Sequence, residues 1–296
     1  MKKVFVSVIG AITLIFGVSA PAMAATSTGF DQSTGPDWLA SIRAGDQSFC
    51  SGELVSANYV LTAAHCLSSI ENYSSMGITV KLGPNAELTT REVDYIYIPH
   101  TNTSLGISQE GTDIMLLHLT SPVEDIEPAT VGSVSSAITE SGSRYSYSVT
   151  NYGWSPKTNV NIVPGTITQR TYWTFGTYPQ QIGYIIDSST SARYAKGDSG
   201  GPVVDSNGRL IGTLSGIEAN STNNSSSRGT FVPTLPYATW INTVLNGSGV
   251  VSPDYVLVNS GDSYNGSYTS IKVLTNGTAS GSSALAASSS AFALSS

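Results

Sequence analysis

The chain has 296 residues, of which 40 % are hydrophobic and only 11 % are charged. This is enough apolar sequence for a sizeable core, and the sparse charge with many Ser, Thr, Gly and Asn residues favours a β-rich extracellular protein over a helical cytosolic one. The formal net charge of -7 argues against nucleic acid as a partner.

The N-terminal segment has the features of an export signal. Lys2 and Lys3 precede an apolar run from Val4 to Ser19, and Ala22-Met23-Ala24 is a small-x-small cleavage site. We therefore predict a signal peptide at 1–24 and a secreted, extracellular protein. A membrane anchor is the alternative, which the shortness of the run disfavours, and no later stretch could cross a bilayer.

Residues 25–35 are polar and predict an irregular lead-in or short propeptide. After them, short runs of β-branched and aromatic residues recur between Gly, Pro, Asn and Ser, which is typical of a β-sandwich or of barrels. We predict strands at Trp38–Arg43, Ser51–Thr62 with a turn at Ala57-Asn58, Met76–Leu82, Arg91–Ile98, Ile114–Leu119, Tyr145–Tyr152, Gly165–Thr174, Gln181–Ile186, Gly201–Asp205 and Arg209–Ser215.

One helix is predicted at Ala238–Leu245, because Pro236 suits a first helical turn and Asn246-Gly247 is a good stop. Residues 247–296 form a Ser/Ala/Gly-rich extension with two β-like runs, Tyr255–Val258 and Ile271–Leu274. From 277 to 296, fourteen of twenty residues are Ser or Ala, which predicts disorder for the end of the extension.

Cys50 and Cys66 are the two cysteines of the chain. In an exported protein they predict a disulfide, worth roughly 3 kcal/mol for so short a loop, with two free thiols as the alternative. Two cysteines and three histidines do not make a credible zinc site, so we predict neither a metal nor a cofactor.

Three short segments carry the residue types that peptide hydrolysis requires. The GDSGGP string at 197–202 is a Gly-dense turn in which the N–H groups of Gly197 and Ser199 can point at one spot. His65 ends the string LTAAH beside Cys66, and Asp113 stands before the apolar run IMLL, where burial would require a partner such as His65. The alternatives are a Gly/Ser surface turn, a structural histidine and a capping aspartate.

These segments resemble the trypsin/chymotrypsin-type serine proteases. The order His65, Asp113, Ser199 is that family's order and differs from the orders of subtilisin-like enzymes and α/β-hydrolases. The resemblance runs from about residue 36 to 246 and includes the strings FCSGEL at 49–54, YGW at 152–154, LSG at 214–216, FV at 231–232 and WI at 240–241. It implies a protease domain at 36–246 with an all-β fold: two six-stranded antiparallel barrels, the active site between them and a short C-terminal helix.

The resemblance also implies a role for each site residue. His65 would act as general base and then acid, Asp113 would orient it, and Ser199 would attack the scissile carbonyl. The N–H groups of Gly197 and Ser199 would form the oxyanion hole.

The substrate-binding residues implied by the resemblance are Arg193, Ser215, Gly216 and Ile217. Arg193 takes the position on the floor of the primary specificity pocket, where an Asp would predict cleavage after Lys or Arg, so that preference is disfavoured. Either the pocket is cationic and accepts acidic residues, or Arg193 pairs with Glu218 or points away and leaves a shallow pocket for small residues.

Asp198 is a second departure from the family pattern. The family frees an N-terminal ammonium group by cleavage before an Ile-Val-Gly-Gly-like string, and that group pairs with the Asp before the nucleophile. No such string occurs here. Either signal removal exposes an N-terminus near Ala25–Ser27, or Asp198 uses a side-chain donor.

The sequence therefore predicts a monomeric secreted serine endopeptidase that acts on protein or peptide substrates. A non-catalytic binding or adhesion protein on the same scaffold is one rival, and an esterase is another. The extension is either a cell-surface tether or a spacer.

Overall fold

The computed structural model describes the chain in nine stretches: 35–66, 77–83, 88–99, 113–131, 147–154, 160–173, 181–218, 225–246 and 268–272. The predicted signal peptide, the lead-in up to residue 34, the run Tyr255–Val258 and the tail 277–296 lie outside these stretches. In the nine stretches, no helix has the length and apolar character to span a membrane.

The first six strands form a closed antiparallel barrel, the first barrel. They pair in the order β1-β2-β3-β6-β5-β4, and β4 pairs with β1 to close the ring. Their inward side chains alternate with outward ones, as in β4, where Ile78, Val80 and Leu82 are buried. The strands are β1 Leu39–Ala44, β2 Gln47–Ser56, β3 Tyr59–Thr62, β4 Ile78–Leu82, β5 Thr89–Pro99 and β6 Met115–Leu119.

The next eight strands supply a second closed antiparallel barrel, the second barrel, and one small separate sheet. The barrel order is β11-β12-β14-β9-β8-β7, closed between β7 and β11, while β10 pairs with β13. The strands are β7 Tyr147–Trp154, β8 Val160–Trp173, β9 Gln181–Ser188, β10 Tyr194–Ala195, β11 Pro202–Asp205, β12 Leu210–Ile217, β13 Ser225–Ser226 and β14 Arg228–Pro233.

The helix α1, Ala238–Leu245, follows a short 3-10 turn that contains Pro236. Its apolar face contacts both barrels, since its buried residues belong to one cluster with residues of β3, β6, β12 and β14. The members of that contact are Trp240, Ile241 and Val244 with Leu61, Leu116, Leu210 and Val232. The predicted all-β fold of two six-stranded barrels with a short C-terminal helix is confirmed.

Several predicted strand boundaries are wrong. Strand β8 begins at Val160, five residues before the predicted Gly165, and β7 continues past Tyr152 to Trp154. Strand β8 contains Pro164 because the pairing with β9 ends at the next residue, Gly165. Strand β9 therefore requires no N–H from the proline. Strand β2 also begins early, at Gln47, because Gly45 with φ 56° makes a tight turn after β1.

The predicted β-like run in the extension is also shifted. The strand β15, Tyr268–Lys272, pairs antiparallel with β5, from Tyr268 opposite Pro99 to Lys272 opposite Tyr95. It overlaps the predicted run Ile271–Leu274 at two residues. Part of the extension therefore adds a strand to the first barrel.

Two buried residues of β2 connect the barrels. Ser51 donates its N–H to the Ser199 carbonyl at 2.7 Å and its hydroxyl to the Gly197 carbonyl at 2.7 Å, and its Oγ accepts the Trp154 N–H at 2.8 Å. Glu53, which is 0 % exposed, accepts a 2.8 Å hydrogen bond at Oε1 from the hydroxyl of Thr213 on β12. Polar bonds thus fix the position of one barrel against the other beside the GDSGGP string.

Candidate active site

His65 is held at the end of β3 in a short 3-10 turn, Ala64–Cys66. The turn is tied to β2 by the disulfide between Cys50 and Cys66. Both cysteine sulfurs near the imidazole are therefore bonded to each other and not available to a metal. The imidazole itself is 38 % exposed, so it can reach a substrate while its backbone stays fixed.

Asp113 lies next to His65 and is only 3 % exposed. Its Oδ1 accepts the backbone N–H of His65 at 2.8 Å, and its Oδ2 lies 2.8 Å from His65 Nδ1. The hydroxyl of Ser215 donates to the same Oδ2 at 2.5 Å. An ionised carboxylate can only accept, so the hydrogen of the neutral imidazole lies on Nδ1, and Nε2 carries the lone pair that can take a proton.

Burial and pairing have opposite effects on the pKa values of His65 and Asp113. Desolvation alone would lower the pKa of His65, but the charge and hydrogen bond of Asp113 raise the pKa above its ordinary value. Burial alone would raise the pKa of Asp113, but His65 and the Ser215 hydroxyl hold that pKa below its ordinary value. Asp113 is thus ionised at neutral pH, and His65 is a stronger base than a free imidazole.

The GDSGGP string docks on the first barrel and on β12 through its backbone. The Ser199 carbonyl accepts from Ser51, and the Gly200 N–H donates to the Leu214 carbonyl at 2.7 Å. Gly200 has φ 79°, and a Cβ there would lie 2.9 Å from the Ala63 nitrogen. This close approach to Ala63, two residues before His65, requires glycine at 200.

Two backbone donors of the string are without a protein acceptor in the part of the chain that the structure describes: the N–H groups of Gly197 and Ser199. The neighbouring N–H groups of Asp198, Gly200 and Gly201 all donate to backbone carbonyls. The Gly197 carbonyl is fixed by Ser51, and Gly197 has the positive φ of 102° that this turn requires. Unsatisfied donors on both sides of Asp198 are what an oxyanion hole needs.

The end of β12 offers an edge for an extended peptide. Gly216 and Ile217 pair with β14 on one side, but the pairing of β12 with β11 stops at Thr213. Among the described residues, a Cβ at Gly216 would meet nothing within 4 Å, so the edge is not covered by them. An open edge next to the Ser199 segment can bind a substrate backbone as an added strand.

Arg193 lies on the exposed side of its own loop. Its Nη1 donates to the carbonyls of Thr190, Ser191 and Ala192 at 3.3, 2.9 and 3.0 Å. The predicted alternative of a pair with Glu218 is wrong for this structure, because the Glu218 carboxylate contacts Arg228 at 3.2 Å. The guanidinium thus bonds to backbone carbonyls of 190–192 and keeps its positive charge.

Asp198 is 0 % exposed. Its Oδ2 accepts from the side-chain amide of Asn161 at 2.7 Å and from the Ala195 N–H at 2.8 Å. Burial raises the pKa of Asp198 to about 7, although these two hydrogen bonds oppose the rise. Sequence reasoning missed both Asn161 and Ser51. The early start of β8 conceals Asn161, and no local pattern marks Ser51.

Known proteins share sequence with most of this chain. The sequence model of the trypsin family matches residues 27–241. Human kallikrein-8 is 29 % identical over 234 residues, covering 72 % of this chain and 83 % of the relative. The snake venom serine protease HS114 of Bothrops jararaca is 28 % identical over 212 residues, covering 68 % of this chain and 79 % of the relative.

Two solved structures share the fold. Neuropsin, a serine protease expressed in the limbic system of mouse brain, has a TM-score of 0.52 at 21 % identity and covers 72 % of this chain and 96 % of its own. A mutant of human heparin binding protein has a TM-score of 0.52 at 20 % identity and covers 72 % of this chain and 93 % of its own.

Proposed function

The chain belongs to the trypsin family and is a serine endopeptidase, and we propose that it is exported and cleaves through His65, Asp113 and Ser199 at residues other than Lys or Arg. The observation that supports the triad is the contact of His65 Nδ1 with the buried Asp113 carboxylate, next to the docked Ser199 segment. This arrangement leaves Nε2 of His65 as the base.

In the proposed mechanism, Ser199 Oγ attacks the scissile carbonyl while His65 Nε2 takes the hydroxyl proton. The carbonyl oxygen becomes an oxyanion that accepts from the N–H groups of Gly197 and Ser199. His65 then gives the proton to the leaving amine, the C–N bond breaks, and an acyl-enzyme remains. Water attacks this ester with His65 again as base, which releases the acid and restores Ser199.

The proposed preference follows from the groups around the primary pocket. Arg193, at the floor position, is turned to the carbonyls of its own loop and offers no carboxylate to a basic side chain. The nearby acids Asp187 and Glu218 are both bonded to Arg228, at 2.7 and 3.2 Å. Tyr194 is fully buried, and a Cβ at Gly229 would lie 3.2 Å from its ring. These features favour a shallow pocket for small residues.

Proteomic cleavage-site profiling of the secreted protein tests the proposal. We expect cuts after small residues that disappear in Ser199→Ala and persist in Ser206→Ala, which removes an exposed serine in a turn of the second barrel. Dominant cleavage after Lys or Arg would contradict the pocket assignment. Cleavage that persists in Ser199→Ala would contradict the triad.

A binding function is not favoured by the charge of the chain. One structural neighbour is described as heparin binding, and heparin is a polyanion, whereas this chain has a formal net charge of -7. Binding of this protein to heparin beads at physiological salt would contradict this argument.

We further propose that the active protein is an extracellular monomer and that the extension 247–296 is either a cell-surface tether or a spacer. Edman sequencing of the secreted protein should begin at Ala25 if the signal peptide is 1–24. Gel filtration should give a monomer. If the extension is a tether, removal of 273–296, which leaves β15 in place, should release the protein into the medium. An unchanged distribution of the protein between the cell surface and the medium would identify the extension as a spacer.

A further inference from the structure

The buried carboxylate of Asp198 stands between the two proposed oxyanion donors. Its Oδ2 receives hydrogen bonds from Asn161 and Ala195, while its Oδ1 is buried and accepts nothing in the nine described stretches. A buried carboxylate is costly unless donors surround it. The groups that hold Asp198 therefore determine where the backbone on either side of it lies.

Asn161 holds the segment before Ser199 at two points. Its Nδ2 donates to Asp198 Oδ2 at 2.7 Å and to the Arg193 carbonyl at 2.7 Å. An amide nitrogen carries two hydrogens, so both bonds can be made at once. One side chain of β8 thus fixes both ends of the segment from 193 to 198.

The β7–β8 pair is shaped to receive Asp198. Gly153 lies directly opposite Asn161 in the strand register. A Cβ at Gly153 would lie 2.7 Å from both Cα and Cγ of Asp198. The missing side chain at 153 lets the carboxylate pack against the strands within reach of the amide.

We propose that Asn161 is a positioning residue: its amide holds Asp198 and the Arg193 carbonyl, and so keeps the N–H groups of Gly197 and Ser199 aimed at the oxyanion. The inference rests on the proposed function. It assigns to a side chain within the fold the donor role that a chain-terminal ammonium group would otherwise fill. The active arrangement then forms without a free N-terminus near residue 25.

The first test is the kinetics of Asn161→Ala and of the near-isosteric Asn161→Leu, which keeps most of the packing and removes the N–H donors without adding a charge. We expect kcat to fall by roughly 10²-fold in each, the loss of about one oxyanion donor, with KM little changed. Asn207→Ala, which removes an exposed amide, is the control and should match the wild type. A merely packing role would leave Asn161→Leu active and would overturn the inference.

The second test does not require a variant of Asn161. The chain is produced with an uncleavable extension ahead of residue 25, and labelling of Ser199 by an organophosphonate is measured. Labelling at the wild-type rate supports the inference, while its loss would assign the donor role to an ammonium group and overturn it. Wild-type hydrolysis that is absent, or insensitive to Ser199→Ala, would instead mark failure of the proposed function.

Discussion

The fully buried Glu53 makes the stability of the protein depend on pH in a way that one substitution should remove. Burial raises the pKa of Glu53 well above its ordinary value, against the opposing hydrogen bond from Thr213. Its second oxygen, Oε2, is buried with no hydrogen-bond partner among the described residues. The folded protein therefore keeps this carboxyl neutral to a higher pH than the unfolded chain, in which it ionises at about pH 4.3.

Glu53→Gln mimics the neutral form and cannot ionise. Between about pH 4.3 and the folded pKa, the folded wild type binds one more proton at this site than the unfolded chain, so its stability falls as pH rises. Relative to the variant, the wild type should lose about 1.4 kcal/mol of unfolding free energy per pH unit in that window. Below about pH 4 the difference between the two proteins should be constant, because Glu53 is then neutral in both states.

Urea unfolding of both proteins at several values from about pH 4 to 8 measures this difference, and effects of other groups cancel in it. Glu124→Gln, at an exposed position, is the control for the loss of one carboxylate. A difference that stays flat as pH rises would refute the reasoning, because it would mean that Glu53 ionises as easily in the folded protein as in the unfolded chain.

Four further predictions concern the site. Asp113→Asn should lower kcat by about four orders of magnitude in steady-state assays, because the amide no longer fixes the imidazole tautomer. The midpoint temperature of thermal unfolding should change little, so the loss of activity is not a loss of folded protein. Since Asp113 raises the pKa of His65, kcat/KM should rise with pH to a plateau with a midpoint above about 6.5; a midpoint well below that value would contradict the pairing. Gly200→Ala, at φ 79° and against Ala63, should abolish organophosphonate labelling, whereas wild-type labelling would show that the turn tolerates a side chain. Replacing Cys50 and Cys66 by Ala should lower the urea-derived unfolding free energy by about 3 kcal/mol, and an unchanged value would mean that the disulfide constrains little.

The sequence could single out His65, Asp113 and Ser199 as candidates because each lies in a contiguous string whose residue types suit a local backbone requirement. Glycines at 197 and 200 have positive φ, and Asp113 precedes an apolar strand that buries it. The barrel class was predictable from the recurring short strands and the resemblance.

Other features depend on contacts that no local pattern encodes. Asn161 reaches Asp198 only because the β7–β8 register places it opposite Gly153, and the Pro164-Gly165 pair conceals that the strand starts before it. The direction of the Arg193 guanidinium depends on which acceptors surround it, and three backbone carbonyls of its own loop compete with the pocket. Ser51 is one serine among many until both barrels are folded.

The hydrogen bonds of Ser51 have a consequence for the cell that makes this protein. From strand β2 of the first barrel, Ser51 bonds to the carbonyls of Gly197 and Ser199 and to the N–H of Trp154. His65 and Asp113 come early in the chain. The Ser199 segment, which completes the proposed site, leaves the ribosome more than 80 residues after Asp113. A nascent or half-folded chain thus lacks the proposed active site, and the proposed activity would arise only after synthesis has passed residue 199 and both barrels have closed.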